Sequence, residues 1–271
     1  MPTTYTHYKF GQEVRKQAPP VAAKAIAAYP QLYDIGLHGP DILFYYSALS
    51  HNQVNYLGKR IHELPGAVFF KHAAGVIRES ANQDAAYAYI YGFICHFALD
   101  VSCHGYIQER INATGISHAE LEAELDRELM ARDGLNPSGH KVTGHLHPSL
   151  KYAKLIQGFF PNISQAQIYR TLRDMKILLN LLVAPGAGKR KLLLGLMKLS
   201  GHYESLHGLI VHEKENPLCR ESTERLLQLY EDAKKLALHL IEEYPDYVMG
   251  SGKLDRIYRY NFSSRLPERE D

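Results

Sequence analysis

The chain contains no tryptophan, only three cysteines, and no long apolar run. Cys95, Cys103 and Cys219 form no Cys-x-x-Cys pair and are odd in number, which argues against a disulfide framework and fits a reducing compartment. No stretch approaches the roughly 18 consecutive apolar residues of a membrane-spanning helix. The first residues, Met-Pro-Thr-Thr-Tyr-Thr-His-Tyr-Lys, hold no apolar core of a secretory signal, so a cytoplasmic location is expected. The net charge of +2 is too small to argue for electrostatic capture of nucleic acid, although a local basic patch is compatible with it. Strand signals are scarce: β-branched alternation never extends, and no hairpin turn joins two such runs. The chain is therefore expected to be all-α. It shows neither an internal repeat nor a composition break, so residues 1–271 read as one domain, with the chemistry in 1–130 and packing helices over 148–260.

What the chain has instead is histidine, 15 residues of it, and tyrosine, 19. Within Tyr91–Gly105 stand His96, Asp100 and His104, each four residues from the next. Residues four apart drift only about 40° around a helix axis, so the three side chains line one stripe. Phe93, Ile94, Phe97, Ala98, Leu99 and Val101 between them are apolar, so the helix is expected to be buried on most sides. Imidazole and carboxylate are the donors that zinc prefers. The competing explanation is a buried His–Asp hydrogen-bonded pair on a core helix, since buried polar groups need partners whatever their role.

Other residues of the same type are scattered before position 123. His7 lies in a polar N-terminal stretch and is expected to be solvated unless that stretch is tied down. Pro19-Pro20 open a helix over Val21–Tyr29 that Pro30 stops. Gly39-Pro40 is a turn signal, and Asp41 directly follows it, either favouring a helix start through the dipole or acting as a ligand. His51 and His62 fall in Ser47–Pro65. Helices are predicted over Ala67–Ser80, with His72 on it, and over Asp84–His104, where Ala85, Ala86, Ala88, Gly92 and Ala98 permit close approach of neighbours. Ser117 with Glu120 is a capping-box signature, which fixes a helix over Ser117–Arg132 and places His118 and Glu122 on one face. Glu120, Glu124 and Glu128 fit a solvated acidic face better. Residues 131–147 read as a long loop whose His140, His145 and His147 are expected at the surface. Helices follow over Pro148–Gln157, Ser164–Val183, Lys189–Leu199 and Glu221–Tyr244, and the tail from Gly250 is expected to fray near its end. His202, His207 and His212 are spaced by five and do not form one ligand set.

The ordered set His7, Asp41, His51 or His62, His96, Asp100, His104, His118 and Glu122 resembles the zinc-dependent phospholipase C family and its relatives, the fungal single-strand zinc nucleases. That family has an all-helical fold and a cluster of three zinc ions. Its pattern runs early His, Asp, His, then His-x3-Asp, a further His, and His-x3-Glu, with Asp last in the nucleases. The resemblance spans roughly residues 5–125 and implies residue roles. His7 takes the early histidine position, and Asp41 a bridging or general-base carboxylate. His96 and Asp100 match His-x3-Asp, with Asp100 bridging metals. His104 is the following histidine, and His118 with Glu122 completes the pattern on the phospholipase side. Ile61-His62-Glu63 looks like the remaining histidine position, with His51 the alternative.

Secreted members of the family use an N-terminal Trp, absent here, so the bacterial non-secreted branch is the better comparison. The resemblance implies a metal-dependent phosphodiester hydrolase with two or three Zn²⁺ ions, a donor set that also takes Fe or Mn. The expected substrate is a small phosphodiester or phospholipid head group. Tyr45, Tyr46, Tyr56 and Tyr106 are cleft-lining residues on this view. Rival functions are a zinc-dependent single-strand nuclease, a nucleotide phosphodiesterase or phosphatase, and a non-catalytic metal-binding helical protein. No His-Asp dipeptide occurs, which counts against helical phosphohydrolases built on that metal doublet.

Overall fold

The computed structural model describes residues 4–201, 203 and 207–266; His202 lies outside them. Among the described residues there are helices and turns and no strand. The helices are α1 Thr4–Arg15, α2 Pro20–Ala28, α3 Pro30–Gly36, α4 Gln53–Glu63, α5 Gly66–Glu79, α6 Gln83–Thr114, α7 His118–Arg132, α8 Leu150–Ile156, α9 Gln165–Leu182, α10 Ala187–Leu199 and α11 Arg220–Met249, with a 3₁₀ turn over Gly39–Tyr45.

Helix α6 is the axis. Asn82 caps it by accepting from the amide of Ala85, and Gly115, at a φ of +73°, ends it. Its 32 residues carry it ten beyond the predicted end at His104. Nothing between His104 and Gly115 breaks a helix, and Ile107 still packs inside. Almost every residue from Ala85 to Cys103 is buried, as expected of a helix enclosed on all sides. Helices α1, α2, α3, α5 and α11 pack around it. Against α3 the approach is close enough that a Cβ on Gly92 would lie 2.2 Å from the Tyr33 carbonyl oxygen. Phe69 stacks on Phe93 at 3.9 Å between centroids, and Phe97 on Tyr258 at 5.2 Å, locking α5 and the C-terminal segment to the axis.

Several expectations need correction. Residues 4–15 form a helix with a buried face, because Asp126 of α7 accepts from the amides of Tyr5 and Thr6 (3.3 and 2.8 Å) and so caps its start. The last long helix runs through Pro245 to Met249, since buried Tyr244 and Val248 hold the final turn in place and Gly250, at φ +82°, closes it. The tail is held down as far as residue 266, and the end expected to fray lies outside the described residues. Tyr258 and Phe262 are buried, Gly66 donates to the Tyr260 carbonyl at 2.8 Å, and Ser264 Oγ donates to the Val101 carbonyl at 2.6 Å. At α7 only half of the capping box forms: Ser117 accepts from the Glu120 amide, while the Glu120 carboxylate accepts from Asn216 at 2.6 Å. Glu124 is buried against Arg127, so it is no part of a solvated face.

Candidate metal centre

The site sits where the middle of α6 meets α1, the 3₁₀ turn, α4 and α7. Each of the elements around α6 delivers one or two donors. Helix α6 supplies His96, Asp100 and His104 on one stripe. Asp100 divides its two oxygens between neighbours: Oδ1 lies 3.3 Å from His7 Nε2 and 3.7 Å from His104 Nε2, and Oδ2 lies 3.1 Å from His96 Nε2. Asp41 Oδ1 lies 3.0 Å from His62 Nε2. Glu122 Oε1 lies 2.9 Å from His118 Nε2 and 3.3 Å from His104 Nε2. Three neighbouring groups therefore form, His7–His96–Asp100 and Asp41–His62–His96, which share His96, and His104–His118–Glu122, each with donor atoms within 4.8 Å of one another.

The turn that carries Asp41 is positioned by a glycine. Gly39 has a φ of +47°, and a Cβ there would lie 2.3 Å from His96 Cδ2. Only glycine both adopts that conformation freely and lets the chain pass against the imidazole. Pro40 then supplies a helix-compatible φ at the start of the turn.

Backbone carbonyls fix the imidazoles. The Nδ1 atoms of His62, His96 and His104 sit 2.8, 3.2 and 2.7 Å from the carbonyl oxygens of Gly58, Leu37 and Phe262. With Nδ1 donating there, Nε2 is the nitrogen that faces the carboxylates and would offer its lone pair to a metal once deprotonated, the arrangement that orients a metal-ligating histidine. His96 Nε2, His118 Nε2 and Asp41 Oδ1 are buried and make no hydrogen bond, although each lies about 3 Å from a carboxylate or imidazole partner. The donor set and its orphaned atoms thus fit a divalent cation better than a network of hydrogen bonds.

Electrostatics press the same way. Burial alone would push the Asp100 carboxyl up, but the imidazoles of His104 and His96 hold it well below the usual carboxylate range. Glu122 is likewise held low against burial, by His118 and His104. Burial lowers the His104 imidazole, yet Asp100 and Glu122 outweigh it and raise its pKa to about 9. Burial and neighbouring His96 hold His7 below its usual value. Buried carboxylates this close together require positive charge among them, from imidazolium or from a cation.

All eight residues singled out as ligands, His7, Asp41, His62, His96, Asp100, His104, His118 and Glu122, lie in these groups. His51 does not; it is exposed just before α4, at the wrong end of the helix that delivers His62. His7 is buried rather than solvated because Asp126 ties down the start of α1. Of the tyrosines expected at a cleft, Tyr45 is buried behind Asp41, Tyr46 lies under the Arg170 guanidinium at 4.8 Å, and Tyr56 is exposed.

Two features went unread in the sequence. Asp126 continues the His118–Glu122 stripe by one more turn, which was the available signal; burial raises its pKa to about 7. His38 is buried beside the glycine turn, its Nε2 2.7 Å from Nε2 of His145, which stacks on Tyr8 at 3.9 Å. The loop histidine expected at the surface is thus drawn inward, and no local pattern in the sequence pairs residues 107 apart.

Compared with known proteins, residues 6–170, more than half of the chain, match the family model described as zinc dependent phospholipase C. No curated protein and no solved structure matches the chain.

Proposed function

Because the chain belongs to the zinc-dependent phospholipase C family, we propose that it hydrolyses a phosphodiester of the phospholipid head-group class, with zinc held by the three neighbouring donor groups around Asp100. Asp41, His62 and His96 would hold one ion, His104, His118 and Glu122 a second, and His7 with Asp100 contribute to a third. The single observation that carries this reading is the split carboxylate of Asp100, whose two oxygens face imidazoles of different groups. Zinc at such a site supplies Lewis acidity, activating water and neutralising charge on phosphoryl oxygens.

The protein's own groups do the rest. Asp41, beside the His62 imidazole, orients water and accepts its proton. The Gly58, Leu37 and Phe262 carbonyls keep three imidazoles aimed, so little reorganisation accompanies the reaction. Phe44 and Phe262 pack against His62 at centroid distances of 5.3 and 5.2 Å and limit water on that side.

The test is metal analysis of the purified protein combined with a substrate panel. Two or three equivalents of zinc and turnover of a phosphatidylcholine head group or a generic phosphodiester are expected. Absence of bound metal after zinc loading would sink the proposal. Cleavage confined to single-stranded DNA would move it to the nuclease side of the family. Asp41→Asn is expected to lower kcat by about 10²–10⁴ while keeping most of the metal.

A further inference from the structure

Helix α10, Ala-Gly-Lys-Arg-Lys-Leu-Leu-Leu-Gly-Leu-Met-Lys-Leu, lies beyond the segment that matches the family. It buries only Leu193 and Met197, which join Leu182, Ala184, Leu209 and Ile210 in a small cluster apart from the main core. Leu194 packs partly against that cluster, and three leucines are left outside: Leu192 is 62% exposed, Leu196 53% and Leu199 87%. At about 100° per residue, positions 192, 196 and 199 fall within roughly 60° of arc and form one stripe. Lys189 lies along one margin of that stripe, and Lys191 with Lys198 along the other. The helix has four cations and no acidic residue.

The cations are engaged without being neutralised. Lys189 donates to the Val183 carbonyl at 2.6 Å, Arg190 to the Val211 carbonyl at 2.9 Å, and Lys198 sits 4.8 Å over the Tyr203 ring. Among the described residues none of the four pairs with a carboxylate. An apolar stripe between cationic margins matches a surface with a negative coat and an apolar interior. A second copy meeting this face by two-fold symmetry would set the four cations against the same four, which disfavours it. The helix has 13 residues and is too short to span a membrane.

We propose that α10 is a docking surface for an anionic phospholipid bilayer, lying in the interface plane with Leu192, Leu196 and Leu199 inserted and Lys189, Lys191 and Lys198 at the head-group level. The proposal stands independently of the hydrolase reading, because binding is measured without metal and without turnover.

The experiment is sedimentation of the full chain, in chelator, with vesicles of phosphatidylcholine alone and of phosphatidylcholine mixed with phosphatidylglycerol. The wild-type chain is expected to bind the anionic vesicles and to lose binding as salt is raised. The triple variant Leu192→Ser, Leu196→Ser, Leu199→Ser alters only exposed side chains, and an unchanged melting temperature confirms the fold. It is expected to weaken binding by about tenfold or more. Lys191→Ala with Lys198→Ala is expected to weaken binding to anionic vesicles by roughly tenfold as well. The proposal is overturned if the wild-type chain ignores anionic vesicles or if the triple serine variant binds them equally well. It is also overturned if the wild-type chain is a dimer that the triple variant converts to monomer with no vesicle binding in either, since the stripe would then be a subunit interface.

Discussion

The sequence contains the same ligand pair twice, on two helices, and the two copies differ most at the carboxylate. His118 and Glu122 on α7 and His239 and Glu243 on α11 are both His-x3-Glu, and each has a further His or Asp donor within reach. On α7 the His118 side chain is itself 43% exposed, but the carboxylate is buried, His118 Nε2 is orphaned, and a second imidazole, His104, closes on the same oxygen at 3.3 Å. On α11 the His239 side chain is 55% exposed and its Nε2 lies 3.3 Å from Asp255. The oxygens there are already occupied: Glu243 accepts from the Asp255 amide at 3.1 Å, and Asp255 caps a 3₁₀ turn by accepting from the Ile257 amide at 2.7 Å. Spacing puts two donors on one face. A buried carboxylate shared by two imidazoles, one of them fixed by a backbone carbonyl, is what distinguishes the candidate metal centre from a surface hydrogen-bond cluster.

The contrast breaks most completely at Asp100. Replacing it with alanine removes the one carboxylate that faces His7, His96 and His104 and leaves buried imidazoles without their counter-charge. Asp100→Ala is expected to lose at least one equivalent of zinc and to reduce phosphodiester hydrolysis on the order of a thousandfold or more, read by elemental analysis and steady-state rates. Full metal content with a wild-type rate would place the chemistry elsewhere.

Two glycines with positive φ sharpen the comparison at the next level. Gly39→Ala forces a Cβ to within 2.3 Å of the His96 ring, in addition to left-handed strain. It is expected to cost about 2–4 kcal/mol and to displace an imidazole from the site, lowering metal content. Gly250→Ala, at the end of α11, meets open space and pays only the conformational term of about 1 kcal/mol, with metal content unchanged. Chemical denaturation and metal analysis of the two variants, side by side, would show whether the difference is local to the site.

Protons and metal compete at the same lone pairs. The His104 pKa is raised from 6.5 to about 9, so in the metal-free chain its ion pairs stabilise the fold fully below about pH 6.5 and are lost as pH rises through about 9. Metal binding must displace that proton. Apparent zinc affinity is therefore expected to rise with pH, by up to about tenfold per unit for this group, and to level off near pH 9. Competition with a chelator of known affinity across that range reads it. A pH-independent affinity would mean that His104 is not a ligand.

How much of this was legible in the sequence follows from which interactions are local. The α6 stripe, the α7 stripe and the Gly39-Pro40-Asp41 turn are short-range patterns, so helical periodicity and turn chemistry reveal them. His62 over His51 was open, because the choice depends on which end of α4 faces the turn, a tertiary fact. The α1 helix was missed because its stability comes from Asp126, some 120 residues away, and not from its own apolar spacing. Phe262 was hidden in a segment that looks like tail, yet its carbonyl orients His104 and its ring packs on His62. The His38–His145 contact likewise joins a turn to a loop that sequence alone reads as solvent-facing.

The smallest expected effect is at the second His-x3-Glu pair. His239→Ala removes an imidazole more than half exposed, whose contacts with Asp255 and Glu243 at 3.3 and 3.8 Å are screened by solvent. The Asp255 cap to Ile257 and the Glu243 contact to the Asp255 amide do not involve the imidazole and survive its loss. Stability is expected to change by less than about 0.5 kcal/mol, with metal content and hydrolysis at wild-type level. His118→Ala, with the same neighbour spacing, is expected to cost a zinc equivalent. If His239→Ala instead lost metal while His118→Ala did not, a buried carboxylate shared by two imidazoles would be the wrong criterion for this chain. The centre would then have to be sought on α11.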